Sequence, residues 1–217
     1  MGCRQTGAIG QAQQPGTQSI HRLDVVIVNY NAGAVLQAAV DSVLACQQPK
    51  TRCIIVDNAS DDASLVFLAD CPQERIELIR NRANYGFAVA VNQGAAVVQA
   101  QWFLLLNPDA VVTEQALQGL LVAAQQHPAA GVLGCLVTNK DGSEQRGCRR
   151  DMLTPLLTLA HGLRLHKVFP RLEFNHTHRP LPQQVVEVPA LSGACMLIQC
   201  AAHKHIGGFD EVFFFAL

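Results

Sequence analysis

The sequence predicts an α/β domain built on a mostly parallel β-sheet flanked by helices. Two observations carry that prediction. From Leu23 onward, short β-branched and apolar runs alternate with stretches of helical periodicity, the pattern of strands joined by crossover helices. The first four apolar runs also end in polar residues, at the positions where open parallel sheets bind ligands. With 217 residues, 49% of them hydrophobic and 15% charged, the chain can close a sizeable core, which excludes disorder for most of its length.

Taken in order, "LDVVIVN" is a strand buried on both faces, and Leu36, Ala39, Val40, Val43 and Leu44 then fall on one face of a helix. "CIIVDN" is the second strand, with Ser60 or Asp61 set to cap a helix carrying Leu65, Leu68 and Ala69. "RIELIR" predicts a third strand, and 87–100 a helix of unusually small residues. "WFLLLN" predicts the fourth strand, followed by a helix whose apolar face is Leu117, Leu120, Leu121 and Ala124. After Val132 the rhythm changes: "GVLGCLV" reads as another strand, Asp141 and Gly142 as a turn, and 146–179 as a basic stretch with apolar interruptions. Met1 to Arg22, rich in Gln, Gly and Thr, reads as a flexible leader.

Composition narrows the function classes. A formal net charge of -1 gives no overall footprint for a nucleic-acid backbone, so no nucleic-acid partner is expected. The eight cysteines contain no CxxC pair. Cys195, Cys200, His203 and His205 have the chemistry of a zinc site but not the spacing of a familiar finger, and a strand followed by a turn explains the same residues. Buried thiols in a reduced cytoplasm are the expectation. No stretch approaches the roughly 20 apolar residues of a membrane span, and no secretory signal is evident. "MGCRQT" matches a myristoylation pattern short enough to arise by chance.

The strand tips are the candidate site. In "LLLNPDA", Asp109 lies beyond a buried strand in a geometry restricted by Pro108, and is either a ligand for a hard divalent cation that also takes phosphate oxygens or a turn residue. Asp57 in "IIVDNASDD" is either an acceptor for a ligand N–H or hydroxyl or a turn and cap residue. The first strand is not followed by GxGxxG, which removes the main support for a dinucleotide-dependent dehydrogenase. Gly86 permits a tight turn, while Ala88, Ala90 and Gly94 read as packing residues.

"VVIVNYN", "IVDNASDD", "NYGFAVAVNQG", "LLLNPDA", "LSGACMLI" and "GGFDEVFFFAL" together resemble the family 2 glycosyltransferases, especially their bacterial rhamnosyltransferase-like members, over about residues 23–217. The resemblance implies a GT-A fold, with a nucleotide-binding half over about 23–135 and an acceptor half over about 136–217. It implies inverting transfer of a sugar from a nucleoside diphosphate donor, dTDP-rhamnose or a UDP sugar, to a hydroxyl acceptor in surface polysaccharide or lipid-linked glycan synthesis. Carried over by position, Asn29 and Asn31 lie in the first nucleotide-contacting loop, Asp57 accepts from the base, and Asn84 and Gly86 belong to the loop near the nucleotide. Asn107, Pro108 and Asp109 stand for the DxD-like element, with Asp109 holding Mg²⁺ or Mn²⁺. Gly193 and Ala194 line the acceptor side, and Asp210 and Glu211 either orient acceptor or sugar or cap local structure.

In that family a segment like "FFFAL" leads directly into an acidic pair whose aspartate is the general base. The resemblance therefore implies a truncated glycosyltransferase whose base is expected just after Leu217, with Asp210 or Glu211 as partial substitutes; the alternative is a nucleotide-sugar binding remnant without efficient catalysis. Arg149, Arg150, Arg164, Lys167 and Arg171 either form a solvated surface or make peripheral contact with an anionic membrane, as a lipid-linked acceptor at the inner face of the plasma membrane would suit.

Overall fold

The computed structural model describes residues 22–139, 141–145, 149–150, 181–182 and 184–213. Its elements are β1 (Arg22–Asn29), α1 (Val35–Ala45), β2 (Lys50–Asp57), β3 (Ile76–Arg80), α2 (Phe87–Ala96), β4 (Trp102–Leu106), α3 (Glu114–Gln126), β5 (Val132–Gly134), β6 (Arg149–Arg150), β7 (Ala190–Leu191), β8 (Cys195–Gln199) and α4 (Cys200–His205). The main sheet has the order β3-β2-β1-β4-β8-β5. Pairings among β3, β2, β1 and β4 are parallel, and β8 runs antiparallel to both β4 and β5. The expected mostly parallel sheet is present, with one reversed strand, β8, set between β4 and the edge strand β5.

Period-two alternation sorts the strand residues onto two cores. Leu23, Val25 and Ile27 of β1 face α1 and α3, which contribute Leu36, Val40 and Val43, and Leu117 and Leu121. Val26 and Val28 face the other way, against Ala90 and Val91 of α2 and Phe103 and Leu105 of β4. Both faces are therefore covered, which is why β1 and β4 read as continuous apolar runs. Ala88, Ala90 and Gly94 are all buried on α2, as packing predicts. A Cβ at position 94 would lie 2.5 Å from Val26 Cγ1, so only glycine lets α2 approach the sheet this closely.

Three local expectations are corrected. The segment after β2 forms a short 3-10 turn over Val66–Asp70, without a side-chain cap, in place of an α-helix. Ser60 is drawn away from a capping role by Asp57 and Asn29, and Pro72 forces Cys71 into extended geometry, leaving too little chain for an α-helix. The small-residue helix stops at Ala96, before 100, and the strand after Gly131 spans Val132–Gly134. Among the described residues no group of three His, Cys, Asp or Glu gathers to hold a metal; Cys195 lies on β8, and Cys200, His203 and His205 on α4. The Asp141–Gly142 turn is present, with the Gly142 amide donating to the Asn139 carbonyl. Residues 1–21 of the expected leader, most of the basic stretch and 214–217 lie outside the described residues; Arg22, expected in the leader, opens β1 opposite Lys50, and Arg149 and Arg150 pair with Leu191 and Ala190.

At the N-terminal end of the parallel strands Asp24 is fully buried and receives two hydrogen bonds from Arg52, both at 3.0 Å, and one from the Gln99 amide at 2.8 Å. Arg52 also reaches Glu77 and the Val97 carbonyl, so one guanidinium ties β1, β2, β3 and the end of α2 together. Burial pushes the Asp24 carboxyl up, but the Arg52 and Gln99 hydrogen bonds and the Arg52 and Arg22 charges together outweigh it and hold it below its ordinary value. A carboxyl depressed in this way contributes stability that is complete above its unfolded value and is lost as pH falls through the lower folded one. Asp24→Ala is expected to remove about 3–5 kcal/mol of unfolding free energy at neutral pH. The same variant should lose stability less steeply than the wild type as pH falls below about 4, and urea melts across pH will measure both.

Candidate active site

The parallel ladder runs on past the strand ends, because the Asn58 amide donates to the Asn29 carbonyl and the Asn81 amide to the Asp57 carbonyl, each at 2.8 Å. The polar tips of β1, β2 and β3 are thereby held at one level. Chain order reverses between β1, which leads to β2 on one side, and β4 on the other, so Asn29 and Asn107 flank the switch point of the sheet.

Asn29, fully buried, points its Nδ2 at Asp57 Oδ1 (2.8 Å), Ser60 Oγ (3.0 Å) and Ser64 Oγ (2.9 Å). Ser60 is the hub of the network: its hydroxyl donates to Asp57 Oδ1 at 2.6 Å and accepts the Asn31 amide at 2.9 Å. Asp57 also accepts the Ser60 amide on Oδ2, so Oδ1 is occupied twice and Oδ2 retains acceptor capacity. Asn31, at φ 52°, accepts the Asp61 amide on its side chain. Asp62 accepts the Gly33 and Ser64 amides. The loops after β1 and β2 are therefore one cross-linked unit. Ser60, one of the polar residues at the tip of β2, builds the site rather than capping a helix, and Asp62 joins it unpredicted, because their partners are about thirty positions away in sequence.

On the β3 side, Asn58 Oδ1 accepts from Asn81 Nδ2, which also donates to Gln93 Oε1 on α2, both at 2.8 Å. Asn58 Nδ2 donates to the Gly86 carbonyl, and Asn84 Oδ1 accepts the Gly86 amide at 2.9 Å. Asn84 and Gly86 thus shape the start of α2, with Gly86 buried at φ 88°.

On the β4 side, the Asn107 amide donates to the Ala194 carbonyl at 3.0 Å, bringing the DxD-like element against the small-residue segment before β8. Asp109 is exposed, and a Cβ at Gly193 would meet nothing within 4 Å, so the space beside this tip is open. Among the described residues no group of three protein ligands gathers here; an exposed carboxylate such as Asp109 could contribute one ligand to a hard divalent cation.

The C-terminal turn reaches the site through α2. Asn92 Nδ2 donates to the Phe209 carbonyl and to Glu211 Oε1, and its Oδ1 accepts the Phe209 amide at 2.9 Å. Phe209 stacks edge-on to Phe87 with ring centroids 6.3 Å apart. Gly208 has φ 87°, and a Cβ there would lie 2.6 Å from Asn92 Oδ1, so glycine is required twice over. Glu211 is bonded to α2, whereas Asp210 accepts the Val212 amide within its own turn. A polar Asn92 in a helix of small apolar residues was the visible sign of this docking contact.

The Glycosyl transferase family 2 model matches residues 24–207. The chain belongs to that family. It is 28% identical, over 88% of its length, to the N-acetylglucosaminyl-diphospho-decaprenol L-rhamnosyltransferase of Mycobacterium tuberculosis, and spans 66% of that protein. A succinoglycan biosynthesis protein, ExoO of Rhizobium meliloti, is 26% identical over 51% of the chain and is matched over 32% of its own length. Among solved structures, S. aureus TarS 1-349 in complex with UDP superposes with a TM-score of 0.61 at 14% identity, covering 90% of this chain and 52% of that one. The mannosyltransferase PcManGT from Pyrobaculum calidifontis, in complex with GDP-Man and Mn²⁺, gives 0.59 at 16% identity, covering 88% and 48%. The fold is the α/β GT-A fold of these glycosyltransferases.

Ser60→Ala is expected to lower stability by about 1–2 kcal/mol and to speed hydrogen exchange at the Asn31 amide, leaving amides of the β1 interior protected. Asn92→Ala should cost about 1–3 kcal/mol and free the Gly208–Glu211 turn, which limited proteolysis will detect as new cleavage near Phe209.

Proposed function

We propose that this family 2 glycosyltransferase chain binds a nucleoside diphosphate sugar at the tips of β1, β2 and β4 and transfers the sugar, with inversion, to a hydroxyl acceptor. The observation that supports this most is the exposed Asp109 carboxylate beside the β1/β4 switch point, with Asn107 tied to Ala194 on the opposite wall. Asp109 would hold Mg²⁺ or Mn²⁺, whose chemistry is to stabilise charge developing on the diphosphate as the sugar leaves.

The remaining roles fall to this chain's own groups. Asp57, immobilised by Asn29 and Ser60, offers the spare lone pairs of Oδ2 to a base N–H. Because that carboxylate is already locked, little ordering is left to do when the nucleotide arrives. Asn31 and the Asn84–Gly86 turn line the two sides of the nucleotide position. Gly193 and Ala194 leave room for the acceptor, and the attacking hydroxyl needs a base within hydrogen-bond reach. Within the described C-terminal turn, Asp210 and Glu211 are the carboxylates that could orient it, Glu211 from a position held by Asn92.

The mycobacterial relative, an L-rhamnosyltransferase that acts on N-acetylglucosaminyl-diphospho-decaprenol, favours rhamnose as the sugar and a lipid-linked diphosphate glycan as acceptor, and leaves dTDP and UDP as the carriers to compare. Such an acceptor would bring the chain to the membrane surface as a peripheral protein; among the described residues no helix is long and apolar enough to cross a membrane. Calorimetric titration with dTDP and UDP, each with Mn²⁺ and with EDTA, tests the donor site. Metal-dependent binding weakened at least about tenfold by Asp109→Ala, a loss of about 1.4 kcal/mol, is the expected result. Binding that ignores both EDTA and the substitution would overturn the assignment of Asp109.

A further inference from the structure

The sheet's antiparallel edge sets two cysteines face to face. β5 and β8 pair Val132 with Ile198, Leu133 with Leu197 and Gly134 with Met196, so the same register carried one residue past the end of β5 would put Cys135 opposite Cys195. Directly opposed residues on antiparallel strands have Cα atoms about 4.5–5.5 Å apart, inside the range of about 4.4–6.8 Å that a disulfide spans. The Cys195 side chain is near enough to lower the Cys135 thiol, and neither cysteine is in a disulfide.

We infer that Cys135 and Cys195 are a reversible thiol–disulfide pair, a redox modification site at the β5–β8 edge. Cys135 is partly exposed and Cys195 buried, which divides the roles: Cys135 meets the external reagent and Cys195 resolves the product. The Cys195 side chain stabilises the Cys135 thiolate against the opposing effect of burial, and with the Cys135 backbone amide brings that thiol down to about 7. Burial pushes Cys46, Cys71 and Cys200 up, and Cys53 to about 12, so the other described cysteines are less reactive.

The reagent is a low-molecular-weight disulfide. The Cys135 thiolate attacks one of its sulfurs, that S–S bond breaks, and the departing thiolate takes up a proton, leaving a mixed disulfide on Cys135. Cys195 then gives up its proton and attacks Cys135 Sγ, expelling the second half of the reagent as a thiol. Two protein thiols have lost two electrons and two protons, one protein disulfide has formed, and the reagent has become two thiols. Excess monothiol runs the sequence backwards. The cross-link would sit one residue from Ala194, whose carbonyl holds the Asn107 amide.

The test is to incubate the full chain with glutathione disulfide, quench with acid and alkylating reagent, and map the digest by mass spectrometry. A peptide pair linking Cys135 to Cys195, lost on adding reduced glutathione and formed at least about tenfold faster than modification at Cys71 or Cys200, is expected. In Cys195→Ser the reaction should stop with one glutathione on Cys135. A stable glutathione adduct on Cys135 of the wild-type chain, or linkage that prefers any other pair, would overturn the proposal, and the wild-type digest decides this even if the variant fails to fold.

Discussion

β1 is the strand around which the molecule is organised: all of its residues from Leu23 to Asn29 are buried, and it is hydrogen-bonded on both edges and covered on both faces. A strand so placed has nowhere to solvate a polar side chain, so each one it carries must find its partner inside the protein. Asp24 near one end does so completely, through Arg52 and the Gln99 amide. Asn29 at the other end does so only in part: its Nδ2 faces three acceptors while its buried Oδ1 has no hydrogen-bond partner among the described residues. The two ends of one strand thus divide the labour, the first securing the sheet and the second shaping a loop pair.

That division explains why fold and site were unequally legible. Most strands and helices of 23–126 carry their own periodicity: β1, β2, β3, β4, α1 and α3 fall where the apolar spacing puts them, α2 ends four residues early, and the segment after β2 forms a 3-10 turn in place of a helix. Ser60 misled because a serine two or three residues past a strand serves equally as a helix cap and as a partner for a carboxylate; the choice was made by Asp57 and Asn29. Asn58 and Asn81 stand at the polar tips of β2 and β3, whereas Gln93 and Asn92 are amides within a helix; all four act across loops and helices, so no local pattern names their partners. The facing cysteines are likewise sixty positions apart and meet only through the β5–β8 register, which depends on β8 running against the rest of the sheet.

α2 shows how the same residues serve both ends of this scheme. Its apolar side is pressed against Val26 and Val56 so closely that position 94 admits no side-chain carbon. Its polar side presents Asn92 to the C-terminal turn and Gln93 to the tip of β3. A helix held that rigidly on the sheet can transmit its position to both loops, whereas a loosely packed one would leave Asn92 and Gln93 to fluctuate by more than hydrogen-bond tolerance allows.

The two aspartates that the sequence presented as equivalent, each just at or beyond a strand end, are physically opposite. Asp57 is buried and accepts three hydrogen bonds, an arrangement that fixes a direction and leaves little room for anything but a donor aimed at Oδ2. Asp109 is exposed, and no group of three His, Cys, Asp or Glu forms around it among the described residues. One exposed carboxylate binds a hydrated divalent cation weakly, because most of the coordination sphere and of the charge must come from elsewhere. A diphosphate supplies both. Under the proposed assignment, metal and nucleotide would bind as a linked pair, each strengthening the other by the same factor, while a base contact at Asp57 would itself need no metal.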